Sequence, residues 1–69
     1  MIYRVETATS KVTDEELTRL YELGCDKEPF ISYSSYSVYR AEMNTEAVET
    51  ARTIGCVTSI EKMPTYGVR

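Results

Sequence analysis

Apolar and polar positions alternate with period two from Met1 to Thr9, setting Met1, Tyr3, Val5 and Thr7 on one side and Ile2, Arg4 and Glu6 on the other. Period two carried by β-branched and aromatic residues predicts a strand, with the first set toward the core. After a short Ser10-Lys11 connection the period changes. Leu17, Leu20, Tyr21 and Gly24 recur at the spacing of one helical face. Thr13 supplies an N-cap and Glu16, three residues on, completes a capping box, with Val12 and Leu17 as the hydrophobic staple. Asp14, Glu15 and Glu16 place negative charge where the helix dipole favours it. Gly24 offers the left-handed stop.

The second half repeats the plan. Asp26-Lys27-Glu28-Pro29 is polar and proline-terminated, a loop leading into extended chain. Phe30 to Tyr39 is rich in strand formers and near-palindromic about Ser34-Ser35. A two-residue turn there pairs Tyr33 with Tyr36, Ile31 with Val38 and Phe30 with Tyr39, although the favoured turns carry glycine or asparagine. The second arm continues through Ala41 to Met43. Asn44 then caps a second helix, with Met43 and Val48 as staple and Ala47, Val48, Ala51, Ile54 and Gly55 as its apolar face. Cys56 to Ile60 reads as a last strand. Pro64 ends regular pairing, which leaves residues 63–69 as an extended C-terminal tail.

Thr13 to Cys25 and Asn44 to Cys56 share length, plan and a Gly-Cys end, the sequence trace of an internal duplication. The order strand, helix, strand, strand, helix, strand predicts an α+β fold, the ferredoxin-like βαββαβ sandwich. It has a four-stranded antiparallel sheet with two helices on one face. Right-handed crossovers put the first and third strands at its centre. Sixty-nine residues make a single domain, residues 1–69.

A formal charge of −3 argues against a nucleic-acid binder, which carries a basic patch to displace counterions. It suits solubility or a basic protein partner. Histidine is absent, and with it the usual general base near neutral pH and the commonest metal ligand. No apolar run approaches the roughly 20 residues that span a bilayer, and no signal peptide is evident, so the expected location is the cytoplasm. Cys25 and Cys56 are expected to begin edge strands on opposite sides of the sheet, their Cα atoms beyond the roughly 7 Å limit for a disulfide. Each follows a helix C-terminus, which raises thiol pKa and disfavours a nucleophile. No pair of carboxylates stands out for acid–base work and no glycine-rich phosphate loop is present. The expectation is no catalytic residue, no cofactor and no metal.

The tyrosines are more informative. With Tyr39, Ala41 and Met43 toward the helices, Val38, Arg40 and Glu42 fall on the open face of the sheet. Ile31, Tyr33 and Tyr36 join them from the hairpin, and Ile2, Arg4 and Glu6 from the first strand. Such a surface has the tyrosine and arginine enrichment of binding hot spots.

From Val38 to Val68 the chain resembles the second half of the subtilisin propeptide family, which includes free-standing inhibitors of subtilisin-like serine proteases. The matching run is Tyr39-Arg-Ala-Glu-Met43, a helix from Asn44, then Gly55-Cys-Val57-Thr-Ser-Ile60-Glu61 and a tail. The resemblance implies the same ferredoxin-like fold and an open sheet face docked on a protease. It also implies that Ile60 and Glu61 end the docking strand and that Tyr66, Gly67, Val68 and Arg69 enter the active-site cleft. In size, acidity and want of catalytic equipment the chain is also similar in kind to phage-encoded inhibitors of bacterial defence, including anti-CRISPR proteins. Those bind a nuclease effector complex in the host cytoplasm. A third reading is a regulatory domain of the ACT type that binds a small ligand, though Ser10-Lys11 lacks the glycine-rich loop it needs. The expected activity is therefore non-enzymatic: a monomer or weak dimer that binds and occludes a larger protein. The partner-binding residues are Tyr33, Tyr36, Val38, Arg40, Glu42 and Tyr66 to Arg69.

Overall fold

A computed structural model describes residues 1–63; Tyr66, Gly67, Val68 and Arg69, with nearly all of the expected tail, lie outside the described residues. The elements run β1 (Ile2–Ala8), α1 (Asp14–Leu23), β2 (Ile31–Ser32), β3 (Tyr36–Glu42), α2 (Thr45–Arg52) and β4 (Val57–Lys62). They form one antiparallel sheet of order β2-β3-β1-β4. This is the expected βαββαβ arrangement, with β1 and β3 at the centre. No helix among the described residues is long and apolar enough to cross a membrane.

The alternation in β1 and β3 sorts side chains as the sequence predicts. Val5 meets Tyr39 and Tyr3 meets Ala41 across the central pair. These residues pack with Leu20 of α1, Val48 and Ala51 of α2, and Ile54, Cys56 and Ile60 in one core. Both helices therefore cover the same side of the sheet. Tyr21 departs from expectation. Helical spacing places it on the apolar face of α1, yet it is 49% exposed, with the Lys27 ammonium 4.9 Å from its ring centroid. Val12, Leu17 and Leu23 pack on the core instead.

The twin helices begin alike and end differently. Thr13 Oγ1 accepts from the Glu16 N–H at 3.2 Å, and Asn44 Oδ1 from the Ala47 N–H at 2.8 Å. Asn44→Ala strips the shorter cap and is expected to cost about 1 kcal/mol, read as a lower urea midpoint with an unchanged m-value. At the far end, the Gly24 and Cys25 N–H groups return to the Tyr21 and Leu20 carbonyls, a Schellman closure with Gly24 at φ 123°. α2 does not repeat this. It stops at Arg52, capped by Thr53 in right-handed conformation, and unwinds through successive three-residue turns to Val57. Ile54 and Gly55, expected on its apolar face, lie beyond its end, and Gly55 has no positive φ.

The hairpin adopts the expected two-residue register, with Ile31 opposite Val38, Ser32 opposite Ser37, and the Tyr33 N–H donating to the Tyr36 carbonyl at 2.8 Å. Phe30 leaves it: its N–H bonds the Val38 carbonyl and its ring is 49% exposed, so the expected pairing with Tyr39 does not form. Cys25 does not open a strand either; it makes an isolated bridge to Ala41. The outer edge of β3 is thus paired twice, by Gly24 to Asp26 and by Phe30 to Tyr33, with the proline-bearing loop between.

The uncovered sheet face as candidate functional site

The face away from the helices is laid out in rows by the register. At the hairpin end, Ala8, Tyr36 and Tyr33 stand side by side. Next come Ser59, Glu6, Val38 and Ile31. The third row is Glu61, Arg4, Arg40 and Asp26; the fourth sets Ile2 opposite Glu42.

The aromatic end is ordered without a partner. The Tyr33 and Tyr36 rings lie with centroids 4.7 Å apart, tilted by 36°. Such pairs are worth about 0.5–1.5 kcal/mol beyond their buried area. Tyr33 stays 52% exposed while Tyr36 is half-buried beside the small Ala8. Val38 is fully buried although no helix covers this face, being hemmed in by Ile31, Glu6 and its strand neighbours. It therefore supports this surface and does not itself reach outward. Arg40 and Glu42 are exposed, as the sequence reading placed them.

Charge runs across the third row. Arg4 reaches Glu61 at 3.7 Å and Arg40 reaches Asp26 at 3.7 Å. Arg4 and Asp26 were not among the predicted contact residues. The sequence places Asp26 only in a loop, yet it carries a signal: with Cys25 on the core side, alternation puts Asp26 on the open side. On the β4 flank, Ser59 faces Glu6 and Val57 faces Thr7, which leaves Thr58 as an extra residue in a bulge. The Thr58 hydroxyl then donates to the Glu6 carbonyl at 3.2 Å.

The cysteines belong to the other side. They flank the central strands from opposite edges, as expected, but converge on one core as free, buried thiols. Burial, then the charge of Asp26, then Cys56 push the Cys25 thiol up to about 11. The Cys56 thiol is raised by burial and by the Glu16 carboxylate, to which it also hydrogen-bonds; a backbone hydrogen bond acts in the opposite sense. Neither environment prepares a thiolate. Among the described residues, no group of three or more cysteine and carboxylate side chains is placed to hold a metal ion.

Family models, curated proteins and solved structures offer no match to this chain.

Proposed function

We propose that this chain is a non-enzymatic docking domain that binds a larger protein through its uncovered sheet face and occludes that partner's working surface. The observation that carries the reading is the Tyr33–Tyr36 pair, its ring centroids 4.7 Å apart at the hairpin end of a sheet face that no helix covers. Two rigid aromatic rings give large contact area at little conformational-entropy cost, which is the economy of an interface anchor. Arg4 and Arg40 follow within two rows, so the residue types that dominate binding hot spots share one face. The raised thiols of Cys25 and Cys56 fit a scaffold better than a nucleophile.

A subtilisin-like serine protease is the first partner to test, because the run from Tyr39 to Glu61 resembles the propeptide inhibitors. Titrating the intact protein into such a protease should give stoichiometric inhibition. Tyr33→Ala and Tyr36→Ala should each weaken it by about tenfold or more, the loss typical of an anchor worth at least 1.4 kcal/mol. Their far-ultraviolet circular dichroism should match that of the parent. Absence of inhibition by the intact protein removes the protease as partner. Undiminished inhibition by both folded variants removes the aromatic face as the docking surface.

A further inference from the structure

The two edges of the sheet differ. The outer side of β3 is paired along its length, whereas nothing among the described residues pairs with the outer side of β4. The Met63 N–H bonds the Ile2 carbonyl at 2.9 Å, so Glu61 and Ser59 exchange their backbone hydrogen bonds with Arg4 and Glu6. By alternation, the N–H and C=O groups of Ile60 and Lys62 point away from the sheet. The Ile60 carbonyl agrees with that direction, since it accepts from Arg52 of α2, at 3.5 Å. Such a length makes a weak bond. A groove of about 100 Å³ lies along this edge, lined by Arg52, Val57, Thr58, Ser59 and Ile60.

Charge on this margin selects its occupant. Ile60 and Lys62 pair with Val5 and Tyr3, which face the core, so their side chains lie on the helix side of the sheet, where Arg52 also reaches. Arg52 and Lys62 are exposed, and among the described residues neither forms an ion pair. Glu61 lies on the opposite, uncovered side and is held by Arg4; Glu49, one turn before Arg52 on α2, is the carboxylate that remains. Two cations thus outnumber one acid on this margin, in a chain whose total charge is −3. A second copy fits poorly. Two-fold pairing about Ile60 sets Arg52 against its own counterpart, and pairing about Glu61 sets two carboxylates directly opposite.

We propose that the outer edge of β4 takes up an extended segment of a partner protein as a fifth, antiparallel strand, with an aspartate or glutamate opposite Ile60 and held by Arg52 and Lys62. A residue paired with Ile60 turns its side chain to the same face of the sheet, between the two cations. Arg52 exchanges its weak bond to the Ile60 carbonyl for the incoming carboxylate, which leaves that carbonyl to the incoming N–H. Main-chain bonds supply the affinity and the cations choose the residue. The bulge at Thr58 interrupts the edge beyond Ile60, so the paired length is short and a free peptide binds modestly. This surface is separate from the uncovered face.

The test is amide-resolved NMR with hydrogen exchange on the intact protein. The probes are acetyl-Val-Thr-Glu-Thr-Val-amide, its glutamine counterpart, and the glutamate peptide N-methylated at the glutamate. The glutamate peptide should bind saturably and slow exchange at Ile60 and Lys62, while Ser59 and Glu61, already bonded to β1, change little. The glutamine peptide should bind more weakly. Arg52→Gln should weaken the glutamate peptide by about threefold or more. N-methylation removes the N–H aimed at Ile60 and should abolish binding. Equal affinity for glutamate and glutamine, unchanged affinity in Arg52→Gln, binding that survives N-methylation, or unaltered exchange at Ile60 and Lys62 would each overturn the proposal. So would protection of those two amides without peptide: it would give the edge to a second copy if it grows with protein concentration, and to residues 64–69 if it does not.

Discussion

Replacing Gly24 with alanine is expected to remove much of the protein's stability, more than about 4 kcal/mol, while the same change at Gly55 is expected to be neutral or slightly stabilising. Gly24 sits at φ 123°, where an L side chain is strained by about 1–3 kcal/mol. A Cβ there would also overlap the backbone carbonyl oxygen of Glu42 and press on Met43 Cγ at 3.2 Å. The Glu42 carbonyl cannot retreat cheaply, because the Glu42 N–H is bonded to the Gly24 carbonyl at 3.0 Å. Strain and overlap together should exceed about 4 kcal/mol, a size reserved for a few mechanisms. A 69-residue domain has only roughly 3–10 kcal/mol in total, at 0.05–0.15 kcal/mol per residue. At Gly55 the added methyl would meet only Glu16 Oε2, at an ordinary 3.5 Å, and φ is not positive. Alanine there gains up to about 1 kcal/mol by restricting the unfolded chain. Thermal melts of the two variants decide the matter, and similar melting temperatures would refute the distinction.

That contrast also marks how far the sequence is legible. The element order, the central pairing and both N-caps follow from periodicity and capping chemistry, which act within a few residues. The C-termini of the twin helices do not. Gly-Cys occurs at both, but a left-handed stop forms only where the following chain must turn to pair with a strand. Gly24 leads directly into the Cys25 bridge with Ala41, whereas α2 ends two residues earlier relative to its own Gly-Cys and reaches Cys56 through tight turns. Tyr21 misleads for a related reason. Helical spacing assigns it to the apolar face, but α1 meets the sheet along a stripe filled by Leu17, Leu20 and Leu23.

The candidate site was half legible. Alternation along β1 and β3 names the residues of the open face, and the near-palindrome at Ser34-Ser35 brings Tyr33 to Tyr36. What alternation cannot supply is the offset between strands that are distant in sequence. The pairing of Arg4 with Arg40 is fixed by how β1 seats against β3, and one residue of slip would have put each opposite a core residue. The burial of Val38 has the same origin: its cover comes from three strands at once.

Stability should be flat through neutral pH and fall between about pH 9 and 11, by roughly 2–3 kcal/mol from Cys25 alone. The ordinary thiol value is 9.0, and in the folded protein burial and the Asp26 charge hold Cys25 protonated up to about 11. Below pH 9 both states keep the proton and the full stability is present. Above pH 9 the unfolded chain releases it while the folded protein does not, so ionisation favours unfolding until the folded thiol also ionises near 11. The two-unit separation, at 1.36 kcal/mol per unit, sets the size. Cys56 and Tyr39 are raised as well, burial leading in each case, and their ionisation acts in the same direction. Urea midpoints measured at intervals from pH 8 to 11 should therefore fall steeply for the parent and less steeply for Cys25→Ala. The comparison rests on the slope, since alanine also removes some packing at every pH. Parallel slopes would mean that Cys25 ionises alike in the folded and unfolded chain, and that its place in the core does not hold the proton.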